Sequence, residues 1–227
     1  MKSNQEVATS WDAEYARGRY LNQPPLPFVD DIVAAAQRRH VTDRPALYIG
    51  CGNGRNYLPM VSSGLDLIGL DVSEVAISQL AGLAPKPDRL VQGDLASLPP
   101  DDRYGLVVGI QVFQHGDREH THRHIADACA RVDAQGLLAI RVNATDTQLE
   151  FEHEVIERAS DGSFTVRYLE GPKRGLLIHF FTRNELFDLL AGAFDVELPL
   201  RLDRTERVAP ASGHWSQWEA IWRLSGR

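Results

Sequence analysis

The chain has 227 residues, two cysteines and a formal net charge of −7, and its hydrophobic content of 43% is ordinary for a globular protein. This length suits one domain with a full hydrophobic core. No stretch approaches the roughly 18 apolar residues of a membrane span, and the N-terminus lacks the apolar segment of a secretory signal. The acidic balance disfavours nucleic acid as a partner. We therefore expect a cytoplasmic protein that binds neither nucleic acid nor membranes.

The N-terminal region predicts two helices. Residues 9–20 form a short helical pattern with Thr9 or Ser10 as the cap, and the proline-rich segment 22–27 ends it. Residues 28–40 then place apolar side chains on one helical face. We expect residues 1–40 to form a helical cap on the domain.

From residue 46 onward, apolar strands alternate with helical patterns. Strands are predicted at 46–50, 65–72, 89–95, 104–113 and 136–143, and helices at 56–63, 73–84 and 115–132. Such alternation is typical of a parallel sheet with helices on both faces.

The pattern changes after residue 143. Segments 164–171 and 175–181 predict an antiparallel hairpin, and residues 182–193 a helix with a Thr182–Glu185 capping box. Two alternating segments near the end of the chain predict an antiparallel strand pair. We expect a single domain over residues 1–227. Its predicted fold is α/β: a doubly wound, Rossmann-like, seven-stranded, mostly parallel sheet with an antiparallel last strand, and residues 144–181 inserted as a hairpin lid.

Candidate ligand-binding residues fall at the carboxyl ends of the first strands, where such sheets bind ligands. The segment LYIGCGNGRN (47–56) has glycines in a G-x-G-x-G spacing, which allow a ligand close to the backbone. Asp71 ends the second strand, where a carboxylate can accept both hydroxyls of a ribose. Asp94 ends the third strand, where it can bind an exocyclic amine while the Leu95 amide donates to a ring nitrogen. Together they predict an adenosine site.

The glycine spacing argues against a dinucleotide. In a G-x-G-x-x-G fingerprint that starts at Gly50 and Gly52, the third glycine would stand where the chain has Arg55. The phosphate-binding pattern G-x-x-x-x-G-K-[ST] is also absent. An NAD-dependent oxidoreductase nevertheless stays an alternative interpretation.

Four segments resemble the motifs of class I S-adenosylmethionine-dependent methyltransferases: LYIGCGNGRN, IGLDVS, QGDL and YGLVVGIQVFQH. The string GCGNGRN, with Trp11-Asp12 and Tyr15 upstream, is similar to the small-molecule branch that includes tellurite-resistance and thiol methyltransferases. The resemblance covers roughly residues 9–145 and the closing helix and strand pair, whereas the insertion at 144–181 matches no family motif.

The resemblance implies S-adenosyl-L-methionine as cofactor and assigns it a binding set. The three loop glycines would face its amino-acid part, Asp71 its ribose, Asp94 and Leu95 its adenine, and the backbone at 109–111 its amine. Tyrosines of the N-terminal segment would close over it. The expected cofactor-binding residues are Tyr15, Tyr20, Gly50, Cys51, Gly52, Asn53, Gly54, Asn56, Asp71, Val72, Asp94, Leu95, Ile110 and Gln111.

One position departs from the family pattern. The chain has Tyr48 where the family usually has Asp or Glu, an acid that orders the loop and helps to hold the methionine amine. This departure leaves open a second interpretation, a cofactor-binding protein of methyltransferase fold without catalysis.

Residues on the acceptor side are less constrained. His115 follows the fourth strand, and a histidine there can act as a base at neutral pH; His179 is a second candidate. The speculative substrate residues are Arg141, Asn143, Tyr168 and Trp215.

The remaining basic and histidine residues have plainer interpretations. The hairpin offers Tyr168, Lys173, Arg174 and His179 as candidates for a lid over the pocket. For Lys173 and Arg174 at the turn, a solvated surface is the simpler interpretation. His120, His122 and His124 lie on one helix without an evident third ligand, so we expect surface histidines and no metal site.

The predicted activity is transfer of a methyl group to an oxygen, nitrogen or sulfur nucleophile of a small molecule. A base is needed only where the nucleophile has a proton to lose. The identity of the acceptor and the oligomeric state stay open.

Overall fold

A computed structural model of the protein describes residues 4–226, with side chains from residue 7 onward. The helices are α1 (Asn4–Ala16), α2 (Phe28–Arg38), α3 (Tyr57–Ser62), α4 (Glu74–Ala81), α5 (Arg118–Cys129) and α6 (Arg183–Leu190). The strands are β1 (Ala46–Ile49), β2 (Leu67–Asp71), β3 (Leu90–Gln92), β4 (Tyr104–Ile110), β5 (Val132–Asn143), β6 (His153–Arg158), β7 (Phe164–Tyr168), β8 (Leu177–Phe180), β9 (Phe194–Glu206) and β10 (His214–Leu224).

Seven strands form one sheet in the order β3-β2-β1-β4-β5-β10-β9. Strands β1 to β5 pair in parallel, and β10 is inserted antiparallel between β5 and β9. All positions of the central strand β4 are buried because helices cover both faces of the sheet. The predicted Rossmann-like sheet with an antiparallel last strand is confirmed.

The two faces of the sheet carry separate hydrophobic cores. On one face Phe28 and Ile32 of α2 pack against the sheet together with Met60 of α3. On the other face Ile125 of α5 and Leu186 of α6 do the same. These cores fix the strands whose ends build the site.

Helix α1 begins earlier than predicted. It starts at Asn4, so Thr9 and Ser10 lie inside the helix rather than at its cap. The prediction relied on local capping preference, whereas most helical stability in proteins comes from packing of one face. Here Val7, Trp11 and Tyr15, spaced four residues apart, form one face of α1 that meets the rest of the protein.

The insertion is a three-stranded antiparallel sheet rather than a single hairpin. Strands β7 and β8 form the predicted hairpin, and β6 adds a third strand beside β7. The sequence prediction missed β6 because its segment HEVIER is largely charged and exposed. Val7 of α1 packs against the core of this small sheet. The insertion and the N-terminal helix therefore touch.

No helix in residues 4–226 combines the length and the apolar character that crossing a bilayer requires.

Candidate functional site: a cavity at the ends of the parallel strands

A cavity of about 580 Å³ opens at the carboxyl ends of β1 to β4, between α1 and the insertion. Its size falls within the roughly 300–1,000 Å³ of typical small-molecule sites. The loop after β1 forms one wall, and its glycines Gly50 and Gly52 have φ angles of 71° and 55°. A Cβ on Gly52 would lie 2.6 Å from the Tyr15 hydroxyl. Only glycine permits this left-handed turn so close to its neighbours.

Asp71 joins the loop to the start of α4. Its Oδ2 accepts a hydrogen bond from the Gly52 N–H at 2.8 Å, and its Oδ1 accepts from the Ser73 N–H at 2.9 Å. Burial raises the pKa of Asp71, and these backbone hydrogen bonds act in the opposite direction. Each oxygen of a carboxylate keeps a further acceptor position, so Asp71 can order the loop and still bind a diol.

The ends of β3 and β4 complete the cavity wall. Asp94 caps the short 3₁₀ turn Leu95–Ser97, where its Oδ1 accepts from the Ala96 N–H at 3.0 Å. Gln111 directly follows β4 with a left-handed φ of 59°, and its N–H donates to the Arg141 carbonyl at 2.7 Å. The backbone of β4 therefore turns at the cavity.

Thirteen of the fourteen predicted cofactor-binding residues line this one cavity. The exception is Gly54. Its φ is 98°, and a Cβ there would lie 2.5 Å from Leu80 Cδ1 of α4. In this structure Gly54 thus faces α4, where the lack of a side chain lets the loop pack closely.

Tyr48, at the position of the family acid, is buried and lines the cavity. Its hydroxyl accepts a hydrogen bond from Asn56 Nδ2 at 3.3 Å, and Asn56 Oδ1 accepts from the Leu26 N–H at 3.0 Å. Burial raises the pKa of Tyr48 above its ordinary range, so the phenol is neutral. A neutral pair thus ties the loop to the N-terminal segment where the family pattern has a carboxylate.

Helix α1 closes one side of the cavity by docking on α4. Asp12 Oδ1 accepts from the Ser73 hydroxyl at 2.6 Å, and Gln79 Nε2 donates to the Tyr15 carbonyl at 3.1 Å. The Tyr15 side chain lies against the glycine loop, and burial raises the pKa of its hydroxyl. Tyr20 follows in a left-handed conformation. The helix therefore both docks and contributes to the cavity wall.

His115 lines the cavity and meets the Trp11 ring edge-on, with 5.4 Å between ring centroids. Burial, and next the charge of Lys173, lower the pKa of His115 to about 3. The ring is therefore neutral at physiological pH. Its Nδ1 is buried and has no hydrogen-bond partner among residues 7–226.

None of the four speculative substrate residues lines this cavity. Arg141 is buried between Glu219 and Asp203, at 2.7 Å and 2.5 Å, and Asn143 accepts from Gln217 at 3.2 Å. Tyr168 lies in the core of the small sheet. Trp215 is on the surface, where the Arg207 guanidinium covers its ring at 5.0 Å.

His179 is also excluded from the cavity. It is fully buried, its Nδ1 lies 2.8 Å from the Thr165 hydroxyl, and its Nε2 lies 3.1 Å from Glu185 Oε1. Glu185 binds His122 Nε2 at 2.7 Å and Arg118 Nε at 2.8 Å. His122, His179 and Glu185 have the residue types of a metal site and lie close enough to hold an ion. Internal hydrogen bonds already link all three residues. The cluster therefore suits a charge network that joins α5 and α6 to the insertion as well as it suits a metal site.

The helix α5 histidines are half-buried rather than surface residues. His120 and His124 line the cavity, and His122 joins the Glu185 network. The hairpin cation Lys173 also lines the cavity, against the prediction of a solvated turn. Gln114 is a further cavity residue that the sequence analysis did not single out. No local pattern distinguished these residues, because the insertion brings them together only in three dimensions.

Known sequences similar to this chain are methyltransferases. Residues 46–136, which include the glycine loop, Asp71, Asp94 and Gln111, match the model of a family described as a methyltransferase domain. A ubiquinone biosynthesis O-methyltransferase of Rickettsia akari is 22% identical over 117 residues. That alignment takes in 49% of this chain, and the chain spans about half, 47%, of the relative's length.

Solved structures share the fold over nearly the whole chain. A 1,6-didemethyltoxoflavin-N1-methyltransferase of Burkholderia thailandensis, solved with bound 1,6-didemethyltoxoflavin and S-adenosylhomocysteine, superposes with a TM-score of 0.65 at 18% identity over 99% of this chain and 92% of that one. The magnesium protoporphyrin IX methyltransferase of Synechocystis PCC 6803 gives 0.67 at 15% identity, over 98% of this chain and 100% of its own. TehB of Haemophilus influenzae superposes with a TM-score of 0.64 at 18% identity, over 94% of this chain and 67% of TehB.

Proposed function

Since the chain carries a methyltransferase domain on the class I methyltransferase fold, we propose that it is an S-adenosylmethionine-dependent methyltransferase acting on a small molecule. One observation carries the proposal. The glycine loop, Asp71, Asp94 and the Ile110–Gln111 turn come from four different strand ends and line a single cavity. Chance placement of one such residue is common, but convergence of all four is the arrangement an adenosine ligand needs.

The residues present fit the cofactor. Gly50 and Gly52 form a cradle that a Cβ would obstruct, with contacts of 2.8 Å and 2.6 Å. Asp71 would hold the ribose, Asp94 and Leu95 the adenine, and the turn at Gln111 the amino-acid part. When bound, the cofactor supplies an electrophilic methyl group. Because Tyr48 and Asn56 are neutral, backbone carbonyls rather than a side-chain carboxylate would accept from the methionine ammonium.

The contribution of the chain to the reaction is alignment and exclusion of water. An acceptor must lie in line with the transferred group at roughly 3–3.5 Å, and enclosure by α1 and the insertion would keep water out. We propose that residues 1–40 act as a cap and residues 144–181 as a lid over this cavity. Enclosure on both sides favours a small molecule over a nucleic acid, in keeping with the net charge of −7.

His115 is the candidate base that the sequence analysis named, and it lines the cavity. Its Nδ1 is inaccessible from the cavity, and burial, and next the charge of Lys173, lower its pKa to about 3. Such a nitrogen is a weak proton acceptor. We therefore propose that His115 shapes the cavity wall beside the acceptor and does not deprotonate the nucleophile. The two unpaired cysteines suit a reducing compartment, and we place the protein in the cytoplasm.

Equilibrium titration tests the cofactor assignment. Calorimetry of the purified protein with S-adenosylhomocysteine should give one site per chain with a dissociation constant in the micromolar range or tighter. NADH serves as the matched dinucleotide control and should not bind at the same concentrations. NADH binding without S-adenosylhomocysteine binding would overturn the proposal and favour an oxidoreductase.

A further inference from the structure

The turn between β7 and β8 carries two adjacent cations in different surroundings. Arg174 is exposed, whereas Lys173 is half-buried and lines the cavity beside Leu176 and Leu177. Among residues 7–226, no side chain forms an ion pair or a hydrogen bond with the Lys173 ammonium. The Lys173 side chain is half-buried in the cavity wall, where burial disfavours a charge that has no counter-charge. An anionic ligand in the cavity would supply that counter-charge.

The charged form of Lys173 is available at neutral pH. Burial, and next the neighbouring charge of Arg19, lower the pKa of Lys173 to about 8, while Glu14 acts in the opposite direction. The group is thus mainly protonated at pH 7, and an anion placed beside it would raise its pKa again.

Two further polar residues line the cavity near Lys173, Gln114 and His115. Burial, and next the charge of Lys173, lower the pKa of His115, so the two groups lie within electrostatic range of each other. Gln114 Oε1 and His115 Nδ1 are inaccessible from the cavity and have no hydrogen-bond partner in the described part of the chain. The group that this wall offers to a ligand is therefore the Lys173 cation, beside apolar Trp11 and Leu176.

This wall lies away from the predicted adenosine end. Asp71 ends β2 and Asp94 lies two residues beyond β3. These two strands lie at one side of the sheet order β3-β2-β1-β4. Gln114 and His115 follow β4, and an isolated bridge joins His115 to Ile178 of the insertion. Lys173 belongs to the same insertion. Lys173 thus lies in the part of the cavity that remains for the acceptor.

We propose that Lys173 makes the acceptor subsite selective for an anion, so that the methylated molecule carries a carboxylate or phosphate group on an apolar body. This rests on the proposed function. The Lys173 ammonium binds the anionic group through a charge-assisted hydrogen bond, while the apolar body lies beside Trp11 and Leu176.

Ligand-observed NMR on the protein saturated with S-adenosylhomocysteine tests this subsite. The probes are matched pairs: aromatic and aliphatic hydroxy- or amino-carboxylic acids with their methyl esters, and phosphate monoesters with their parent alcohols. The same pairs are measured on Lys173→Gln, on the rescue variant Lys173→Arg, and on Arg174→Gln, which removes the neighbouring solvent-facing cation. The dissociation constant of S-adenosylhomocysteine is measured separately for each protein.

The wild-type protein should bind the anionic member of a pair at least tenfold more tightly than the neutral one. Lys173→Gln should abolish that preference while binding S-adenosylhomocysteine within twofold of wild type, Lys173→Arg should restore it, and Arg174→Gln should leave it unchanged. Equal binding of both pair members, absence of any anionic binder, or a preference that survives in Lys173→Gln would overturn the proposal. A tenfold loss of S-adenosylhomocysteine affinity in Lys173→Gln would instead assign Lys173 to the cofactor. Failure of the wild-type protein to bind S-adenosylhomocysteine would refute the proposed function itself.

Discussion

The Gly52 N–H donates a hydrogen bond to Asp71 Oδ2 over 2.8 Å. This contact joins the loop after β1 to the end of β2, so the carboxylate that would bind the ribose also holds the glycine loop in place. The Ser73 N–H donates a hydrogen bond to the other carboxylate oxygen, Asp71 Oδ1, at 2.9 Å. Binding and local order are therefore coupled at Asp71.

Asp71→Ala should weaken S-adenosylhomocysteine binding by about 1–3 kcal/mol, or roughly 5- to 150-fold, the scale of charge-assisted hydrogen bonds lost from a formed site. It should also destabilise the loop, because two backbone N–H groups lose their acceptor. Calorimetry gives the affinity, and urea unfolding gives the stability. Asp66→Ala is the control, since Asp66 precedes the same strand and pairs with Lys86 and Arg89 away from the cavity. Unchanged binding in Asp71→Ala would mean that the ribose is held elsewhere.

Gly52→Ala and Gly54→Ala should separate ligand binding from packing. Both glycines have left-handed φ angles, 55° and 98°, so each alanine costs roughly 1–2 kcal/mol of backbone strain. At Gly52 the new methyl meets the Tyr15 hydroxyl in the cavity wall, so cofactor affinity should fall. At Gly54 it meets Leu80 instead, so mainly the free energy of unfolding should fall. Loss of stability alone in Gly52→Ala, together with loss of cofactor affinity in Gly54→Ala, would contradict the structure.

Tyr48→Phe should leave S-adenosylhomocysteine affinity within about twofold. The Tyr48 hydroxyl forms a hydrogen bond with Asn56, so its removal takes no hydrogen bond from the ligand. Loss of this neutral hydrogen bond should lower the free energy of unfolding by about 1 kcal/mol. Asn56→Ala should cost more stability, about 1–3 kcal/mol, because the part-buried Leu26 N–H loses its acceptor as well. Thermal and urea unfolding measure both variants. A tenfold loss of affinity in Tyr48→Phe would show that the phenol itself replaces the family acid.

Glu185→Gln should lower the free energy of unfolding by about 3–5 kcal/mol, the cost of breaking a buried charge network. The pKa of Glu185 lies below its ordinary value of 4.5, with hydrogen bonds from His122 and His179 opposing the effect of burial. Since the folded-state pKa is depressed, its stabilising effect is fully present above pH 4.5 and is lost as the pH falls toward the folded-state pKa. Glu119→Gln is the control, because its pair with Arg123 is exposed and should contribute at most about 0.5 kcal/mol. Equal effects of the two variants would argue against a network.

The sequence predicted the features that depend on neighbours along the chain. Apolar runs revealed β1 to β5, and the parallel topology then required Gly52, Asp71 and Asp94 to meet at one edge of the sheet. The Ser73 and Thr182 caps were likewise predicted from local hydrogen-bonding chemistry and are confirmed.

Features that depend on distant partners could not be predicted in this way. Arg141 ends β5 near the ligand edge, but its carboxylate partners lie 62 and 78 residues further along the chain. His179 and Lys173 were both assigned from their positions in one hairpin, yet β8 buries His179 against Glu185 and the turn directs Lys173 to the cavity. Which way a side chain of an insertion faces is decided by packing against α1 and α5, for which the sequence holds no periodic signal.

A crystal structure of the protein with S-adenosylhomocysteine tests the central claim most directly. The account predicts ligand density in the cavity, with the ribose hydroxyls on Asp71, the adenine between Asp94 and Leu95, and the thioether open toward His115 and Lys173. Density placed elsewhere, or an adenosine bound at the Lys173 end with Asp71 free of it, would contradict both the cofactor site and the acceptor subsite.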